Sequence, residues 1–588
     1  MVFRPAHESI RSRRRTQPYQ QPKARLRISA ERDEALGERP FGKQGLLRIA
    51  AALPHGHRCA DLLAMIFQSP HPPVVVPKQS FSDYLLGSLG DRRDKPAFIE
   101  GPSGRVVTYA QLRDQALAAA RGLAARGLGR GGVVAICSPN LPEYATAFLA
   151  VGIAGGCSTT LNPLSTDDEL VSQLNDSGAR WFITVPPLLE RARAVAARTG
   201  IEEIFVFGKA DGATAFADLI GDGMRTDAEP AGILNPAEDL LTLPYSSGTT
   251  GVSKGVMLTH RNLVANIEQF SAIGLVGDDD VVLAVLPFFH IYGMVVVMSG
   301  ALKAGATVVT MPRFDLEEFL GAIQRYRATS LYLVPPIVLG LAKHPAVDGY
   351  DLSSVKWIMS GAAPLGEEIA LACQERIGCR VFQGYGLTEA SPVTHVCFGE
   401  NVDVDKIGTI GPTIPSTEML IVDLESGEAL GPGGEGEVWI RGPQVMKGYL
   451  NNPDATASTV DAEGWLHTGD VGRADEDGYV TIVDRAKELI KYKGYQVAPA
   501  ELEDLLLSHP AVGDVAVIPV ADEEAGEIPK ACVVRAGDVS GEEIMRYVAE
   551  RVAPQKKVRA VEFLGEIPKS ASGKILRRFL VERGRAAS

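Results

Sequence analysis

The sequence is poor in several features that would have sent its reading elsewhere. It contains no run of about 18 apolar residues, the minimum for a membrane-spanning helix. Its most apolar stretch, 281–311, is interrupted by Pro287, His290 and Lys303, so no membrane span is expected. The seven cysteines, Cys59, Cys137, Cys157, Cys373, Cys379, Cys397 and Cys532, are odd in number, scattered and without a C-x-x-C pair. Neither a disulfide framework nor a zinc site is expected, and a reducing, cytoplasmic compartment fits. Positive charge is in deficit: 59 Lys+Arg against 72 Asp+Glu leave a net charge of −13. That balance gives no support to a nucleic-acid surface, which needs cations clustered over several phosphates. There is no internal repeat, and no G-x-S-x-G elbow of the kind that marks α/β-hydrolases.

What is present is globular material in quantity. At 588 residues, 45% hydrophobic and 22% charged, the chain is long enough for two to four domains with sizeable cores. Its charge is uneven: residues 1–64 hold 13 Lys/Arg and 6 Asp/Glu, or +7, which leaves −20 for the remainder. Arg11-Ser-Arg-Arg-Arg15 and the Gln/Pro-rich stretch after it lack an apolar period, so 1–64 is expected to be a disordered basic extension. Glu31, Asp33, Glu34 and Glu38 argue against a transit peptide. A basic arm for nucleic acid or acidic lipid is the weaker reading, and Met65 is the expected alternative start.

From Phe81 the pattern alternates between helix and strand: a Thr108-capped helix through Gly122, strand 133–137, helix 142–151, strand 158–161, helix 167–174 and strand 181–185. Alternation at these lengths predicts an α/β fold with mostly parallel sheets. After Gly408, short Gly-punctuated strands (419–422, 437–441) predict a small β subdomain. A last segment, with helix 501–507, strand 515–519 and helix 542–552, predicts a small mobile α+β domain. The expected organisation is a 65–485 N-terminal domain and a 486–588 C-terminal domain, with the boundary at Asp484-Arg485.

The most informative stretch is Ser246-Ser247-Gly248-Thr249-Thr250-Gly251-Val252-Ser253-Lys254. Glycines let backbone amides turn inward, the hydroxyls add donors and Lys254 adds a cation, a combination suited to a polyphosphate more than to a plain linker. It lacks Walker A spacing. G-x-G-x-x-G occurs at Gly127/Gly129/Gly132 and Gly431/Gly433/Gly436, but each copy precedes a strand instead of opening a helix, which argues against NAD or FAD. Taken singly, Lys574 is a loop lysine, His290 a core histidine, Thr388-Glu389 a helix start, Asp470 a loop cap, and Lys487, Lys491 and Lys493 a solvated edge.

In order along the chain, however, Ser246–Lys254 is followed by Gln383-Gly-Tyr-Gly-Leu-Thr-Glu389, Gly464-Trp-Leu-His-Thr-Gly-Asp470, Asp484-Arg-Ala-Lys-Glu-Leu-Ile-Lys-Tyr-Lys-Gly494 and Lys569-Ser-Ala-Ser-Gly-Lys574. This series resembles the core motifs of the adenylate-forming superfamily of acyl-CoA synthetases, peptide-synthetase adenylation domains and luciferases. The resemblance runs from about Phe81 to Leu580. Within the superfamily, Leu286-Pro-Phe-Phe-His-Ile-Tyr-Gly293, Ile440–Leu450 and Lys491–Pro499 look most like 4-coumarate:CoA ligases.

The resemblance implies an acid:CoA ligase acting in two steps. A carboxylate attacks the α-phosphate of Mg-ATP, giving acyl-adenylate and pyrophosphate, and CoA then displaces AMP. It assigns Ser246, Ser247, Gly248, Thr249, Thr250, Lys254 and Thr388 to phosphate, Gln383, Gly384 and Tyr385 to adenine, Asp470 to ribose, Arg485 to the nucleotide and Glu389 to Mg2+. Lys574 would bridge carboxylate and phosphate in the first step. Lys487 and Lys491 resemble acyl-adenylate contacts, Lys493 and Gly494 a CoA contact, and Gln496 a functional glutamine, all used after the C-terminal domain swings about a hinge. His290, Tyr292, Val296, Gly361, Ala362, Gly384, Pro392, Val393 and Val396 match the acyl pocket. Val296 departs from the serine of some plant enzymes, which puts cinnamate, another aryl acid or a medium-chain fatty acid on a level with coumarate. Arg313 stands where relatives use lysine for a CoA phosphate. A monomer or homodimer is expected, with the acid, ATP and CoA as small-molecule partners. Alternatives are a fatty acyl-CoA synthetase, an adenylate donor to a carrier protein, a luciferase-like oxygenase, and a catalytically dead scaffold.

Overall fold

The computed structural model describes residues 65–87, 89–246, 253–399, 402–493, 495–522, 524–570 and 573–587. The expected basic extension 1–64, six residues of the phosphate loop (Ser247, Gly248, Thr249, Thr250, Gly251 and Val252) and Gly494 lie outside them.

Two eight-stranded sheets dominate. The first runs in the order 448–449, 254–259, 240–246, 157–160, 133–136, 181–184, 203–206, 214–215. It is parallel from Leu240–Ser246 onward and antiparallel at the edge carrying Lys254–Thr259 and Gly448–Tyr449. The second runs 393–396, 380–386, 357–360, 330–333, 281–284, 307–310, 96–100, 106–108, parallel except at its two ends. The mostly parallel α/β reading holds, with the antiparallel edges as its qualification. Central strands such as Val133–Ile136 and Trp181–Thr184 are buried at every residue, which is why they appear as continuous apolar or small-polar runs instead of alternating ones.

Local signals set the helix starts. Thr108 caps helix Tyr109–Ala125 and Thr166 caps helix Asp167–Ser177, each closing a capping box with the residue three positions on. The small β subdomain is an antiparallel sheet in the order 67–68, 418–422, 435–441, 466–474, 480–485. In the C-terminal segment, strands Val512–Asp522 and Gly526–Arg535 form a hairpin. Helix Gly541–Ala549 then crosses over to Ala560–Leu564, which pairs parallel with Gly526–Arg535. This sheet has its own core, including Ile490, Leu502, Val517 and Val548.

Helix Phe216–Arg225 lies against helix Tyr109–Ala125 through glycines. A Cβ on Gly223 would sit 1.7 Å from the carbonyl oxygen of Ala118, and one on Gly122 2.4 Å from that of Leu219. Gly223→Ala is therefore expected to cost about 1–3 kcal/mol by overpacking. Gly221→Ala on the same helix, whose nearest neighbour would be the end of Arg225 at 3.5 Å, should be neutral or stabilising because alanine favours helix. Thermal melts of the two variants side by side check the pair.

Candidate active site

The predicted site residues leave the carboxyl ends of strands from both large sheets, where open α/β sheets place their crevices. Ser246 ends strand Leu240–Ser246, Gly361 follows Trp357–Ser360, Gln383–Tyr385 lie in Arg380–Gly386, and His290 and Tyr292 follow Val281–Ala284. Ser246 and Lys254, the two ends of the phosphate stretch, pair across the antiparallel strands Leu240–Ser246 and Lys254–Thr259.

On the phosphate side, Glu389 is 6% exposed. Its Oε1 accepts from Ser246 Oγ at 2.7 Å and from Tyr449 Oη at 2.8 Å. Lys254 Nζ sits 4.9 Å from the centre of the Tyr449 ring. Two hydroxyls from the first sheet thus orient a buried carboxylate that follows the second. Among the described residues no three His, Cys, Asp or Glu side chains converge as a metal cage. Mg2+ asks for less, one or two carboxylates beside water and phosphate oxygens, and Glu389 fits that donor set. Thr388, partly exposed, adjoins it.

On the nucleotide side, Asp470 is buried, and both its oxygens are engaged by protein. Oδ2 accepts from Tyr385 Oη at 2.5 Å, and Oδ1 lies 3.2 Å from Arg485 Nε. Burial raises the carboxyl pKa and Arg485 opposes the shift. A bulge at Tyr385/Gly386 aims the tyrosine. It needs glycine, because a Cβ on Gly386 would meet Pro392 O at 2.1 Å. Gln383 is committed elsewhere: its Nε2 donates to Leu365 O and Ile407 O, and its Oε1 accepts from Leu365 N. Its amide therefore holds neighbouring backbone in place.

The acyl-side residues cluster around Tyr292. Its hydroxyl donates to Met359 O at 3.3 Å, and its ring meets Tyr332 edge-on at 6.2 Å. Gly361 must be small there, since a Cβ would stand 2.9 Å from the Tyr292 ring. Gly384 pairs with Val396 across the sheet and faces Met359. Pro392, Val393, Val396 and Val296 are buried, whereas Ala362 is exposed with left-handed backbone, φ 71°. Val296 belongs to a nine-residue π-helical segment, Tyr292–Gly300, in which Ser299 Oγ donates to Met294 O. His290 Nδ1 accepts from Tyr292 N at 3.2 Å, so its proton sits on Nε2. Burial, with the Lys574 ammonium nearby, pushes its pKa down to about 4 and keeps the ring neutral at pH 7.

Of the C-terminal residues, the fold brings Lys574 to this cleft. Gly573 packs against Val334 and Pro336, and Lys343 Nζ donates to Leu507 O. Burial and the neighbouring Arg485 push the Lys574 pKa down to about 8, against the pull of Glu488 and Asp470. The other predicted residues of this domain stand outside. Lys491 and Gln496 are exposed opposite one another on hairpin 490–497. Lys493, left-handed at φ 46°, pairs with Glu524. Lys487 is exposed, and Arg313, in the large domain, is exposed and pairs with Glu318. Sequence reading did not single out Tyr449, Tyr332, Met359, Glu488 or Arg577. Tyr449 lies inside the quoted Ile440–Leu450 motif and Glu488 inside the quoted Asp484–Gly494 motif, Arg577 follows the Lys569–Lys574 motif, and the other two carry no local signal.

Lys574 is expected to titrate with a midpoint of about 8, against about 10.4 for an ordinary lysine. Trace labelling with an amine-directed reagent, read peptide by peptide across pH, measures this. An ordinary midpoint would mean that the lysine does not occupy the cleft.

Comparison with known proteins identifies the family. A family model described as AMP-binding enzyme matches residues 88–450, and one described as AMP-binding enzyme C-terminal domain matches 501–574. The chain is 42% identical over 538 residues to 4-coumarate--CoA ligase 1 of Petroselinum crispum, covering 89% of this chain and 97% of the relative. It is 42% identical to 4-coumarate--CoA ligase 1 of Solanum tuberosum, covering 88% and 96%. Among solved structures, ATP-bound MatB from Rhodopseudomonas palustris superposes with TM-score 0.78 at 30% identity, over 87% of this chain and 100% of that one. The anthranilate CoA ligase AuaEII in complex with anthranoyl-AMP gives TM-score 0.79 at 25% identity, over 88% and 99%. The chain belongs to the AMP-binding enzyme family.

Proposed function

We infer that this chain joins an aryl carboxylic acid to CoA at the expense of ATP, through an acyl-adenylate. It is an AMP-forming acyl-CoA ligase, a reading supported by its 42% identity to 4-coumarate--CoA ligases over most of its length. The observation that carries the mechanism is the seating of Lys574 beside Arg485 and Asp470, with Glu389 held on the phosphate side. Attack of one anion on another needs cations and donors fixed in advance in a site where water is scarce. Lys574 supplies the mobile cation, bridging carboxylate and α-phosphate. Asp470 accepts from the ribose hydroxyls, and Arg485 and Thr388 hold phosphate oxygens. Glu389 would hold Mg2+, whose charge would offset that of the phosphates. Neutral His290 donates through Nε2 toward the acid.

We place the domain boundary after Arg485. Strand Val480–Arg485 belongs to the antiparallel subdomain sheet and Ile490–Tyr492 to the C-terminal sheet, so the turn between them is the hinge. Rotation there would withdraw Lys574 and bring in hairpin 490–497 for the thioester step, with Arg313 and Lys493 toward CoA. Accordingly, Lys574→Ala should lower acid-dependent ATP–pyrophosphate exchange by about 10²–10³-fold yet still convert synthetic acyl-adenylate and CoA to thioester. Equal loss of both half-reactions would refute the division.

The acid is a flat aryl acid of the cinnamate type, matched to the apolar surroundings of Tyr292, Val296 and Val396. Valine at 296 offers a 4-hydroxyl no partner, which costs about 1–3 kcal/mol when buried. Val296→Ser should therefore raise the coumarate-to-cinnamate ratio of kcat/KM by about tenfold, measured by thioester formation. A ratio that stays put would move the hydroxyl-binding end of the pocket elsewhere.

A further inference from the structure

Helix Pro499–Leu507, the first helix of the C-terminal domain, does not cap its own start. Ala498, at the N-cap position with extended backbone (φ −77°, ψ 116°), has no side-chain oxygen, and Pro499 brings no N–H, so Ala500 carries the first donor that needs a partner. That partner comes from outside the domain: Ala500 N donates to Asp484 Oδ2 at 2.9 Å. Asp484 belongs to strand Val480–Arg485 of the subdomain sheet and is 5% exposed. Its Oδ1 accepts from Arg485 N at 2.6 Å, so both oxygens of the carboxylate are fixed by backbone.

The far end of the helix is met in the same way. Leu505 O accepts from Ser508 Oγ, and Leu506 O accepts from Ser508 N and His509 N, all within the segment. Leu507 O accepts instead from Lys343 Nζ at 3.3 Å, and Lys343 ends helix Pro335–Lys343 of the large domain. The Leu507 side chain is half-buried against the cores of both domains. Between the two ends the helix passes directly over the start of helix Glu367–Ile377, where a Cβ on Gly366 would lie 1.6 Å from Asp504 Oδ1. An anion at the N-terminus and a cation at the C-terminus both match the helix dipole. Both are supplied from the other side of the proposed hinge.

We propose that Asp484 and Lys343 are positioning residues for the first half-reaction: by capping the two ends of helix Pro499–Leu507 across the domain boundary, they hold the C-terminal domain in the arrangement that seats Lys574 in the cleft. This rests on the division of labour inferred above between Lys574 and hairpin 490–497. Neither residue touches a reacting atom. Rotation at the turn after Arg485 carries the helix away from both partners, so the caps belong to the adenylate-forming arrangement and are exchanged for water when the domain swings. Contacts made in only one of two states set the balance between them.

The test uses the full-length protein carrying Asp484→Ala, Lys343→Ala or both. Acid-dependent ATP–pyrophosphate exchange reads the first half-reaction, and thioester formation from synthetic acyl-adenylate plus CoA reads the second. Loss of a helix cap shifts an equilibrium by about fivefold. Exchange is therefore expected to fall by about that factor in Asp484→Ala, by less in Lys343→Ala, whose bond is exposed, and furthest in the double variant. The second half-reaction should stay within about twofold of the parent or rise, because it does not use the capped arrangement. Trace amine labelling of Lys574 gives a readout independent of turnover: in the double variant its midpoint should move from about 8 toward the ordinary value of about 10.4. Ala498→Ser separates positioning from helix stability, since serine caps the helix from within its own domain. Added to Asp484→Ala, it should raise the melting temperature and leave exchange low. If Asp484→Ala does not fold, Lys343→Ala at its exposed position carries the same comparison. Parental exchange and labelling in the double variant, or in Lys343→Ala where it stands alone, overturn the proposal. So does an equal fall of both half-reactions, or recovery of exchange together with stability on adding Ala498→Ser, each the mark of a merely structural role. Equal loss of both half-reactions in Lys574→Ala would instead overturn the division of labour on which the proposal rests.

Discussion

Asp470 is a carboxylate removed from water, and the architecture around it follows from the need to compensate that burial. Its two oxygens are claimed by Tyr385, from the end of a parallel strand of the second sheet, and by Arg485, the last residue of the antiparallel subdomain sheet. One side chain therefore fixes the position of the subdomain against the large sheets. Leaving such a charge buried without its partner costs about 3–5 kcal/mol, more than most single contacts contribute. Arg485 in turn starts the turn that carries Glu488, and Glu488 meets Arg577 beside the Lys574 loop. Charged pairs thus run from Asp470 and Arg485 to Glu488, Arg577 and Glu503 in the C-terminal domain.

The two ends of the cleft are built differently for a physical reason. The phosphate side relies on neutral donors to a buried carboxylate, Ser246 and Tyr449 on Glu389, which hold geometry without adding charge that a metal or phosphate would have to displace. The acyl side is apolar and shaped by what is missing. Glycine at 361 lets the Tyr292 ring pack directly against the backbone, and the tyrosine hydroxyl donates to the backbone carbonyl of Met359. Between them, His290 is kept neutral by burial and by the lysine, so the charge of this part of the cleft changes mainly as Lys574 loses its proton, at about pH 8.

Much of this was legible in the residues. Thr108 and Thr166 announce their helices because capping is local, and the central strands announce themselves because burial on both faces demands continuous small or apolar residues. The order of motifs pointed to phosphate, ribose and lysine chemistry. The π-helical form of Tyr292–Gly300 was not legible: an apolar run of valines and methionines has no period that separates one helix type from another. Nor was the use of Gln383, whose amide is spent on Leu365 and Ile407, since motif membership does not reveal a side chain's partner.

The sequence by itself determined the α/β class, the small β subdomain, the separate C-terminal domain and the residue types that the chemistry requires, because capping, strand burial and loop composition are written within a few neighbouring positions. Only the tertiary structure decided that Lys574 is drawn in beside Arg485 and Asp470 while Lys491, Lys493 and Gln496 are exposed, and that Arg577 pairs with both Glu488 and Glu503. Those assignments depend on electrostatic pairing between residues as far apart in the chain as Asp470 and Lys574, and charge compensation across that separation exists only once the chain has brought the partners together and excluded water from between them.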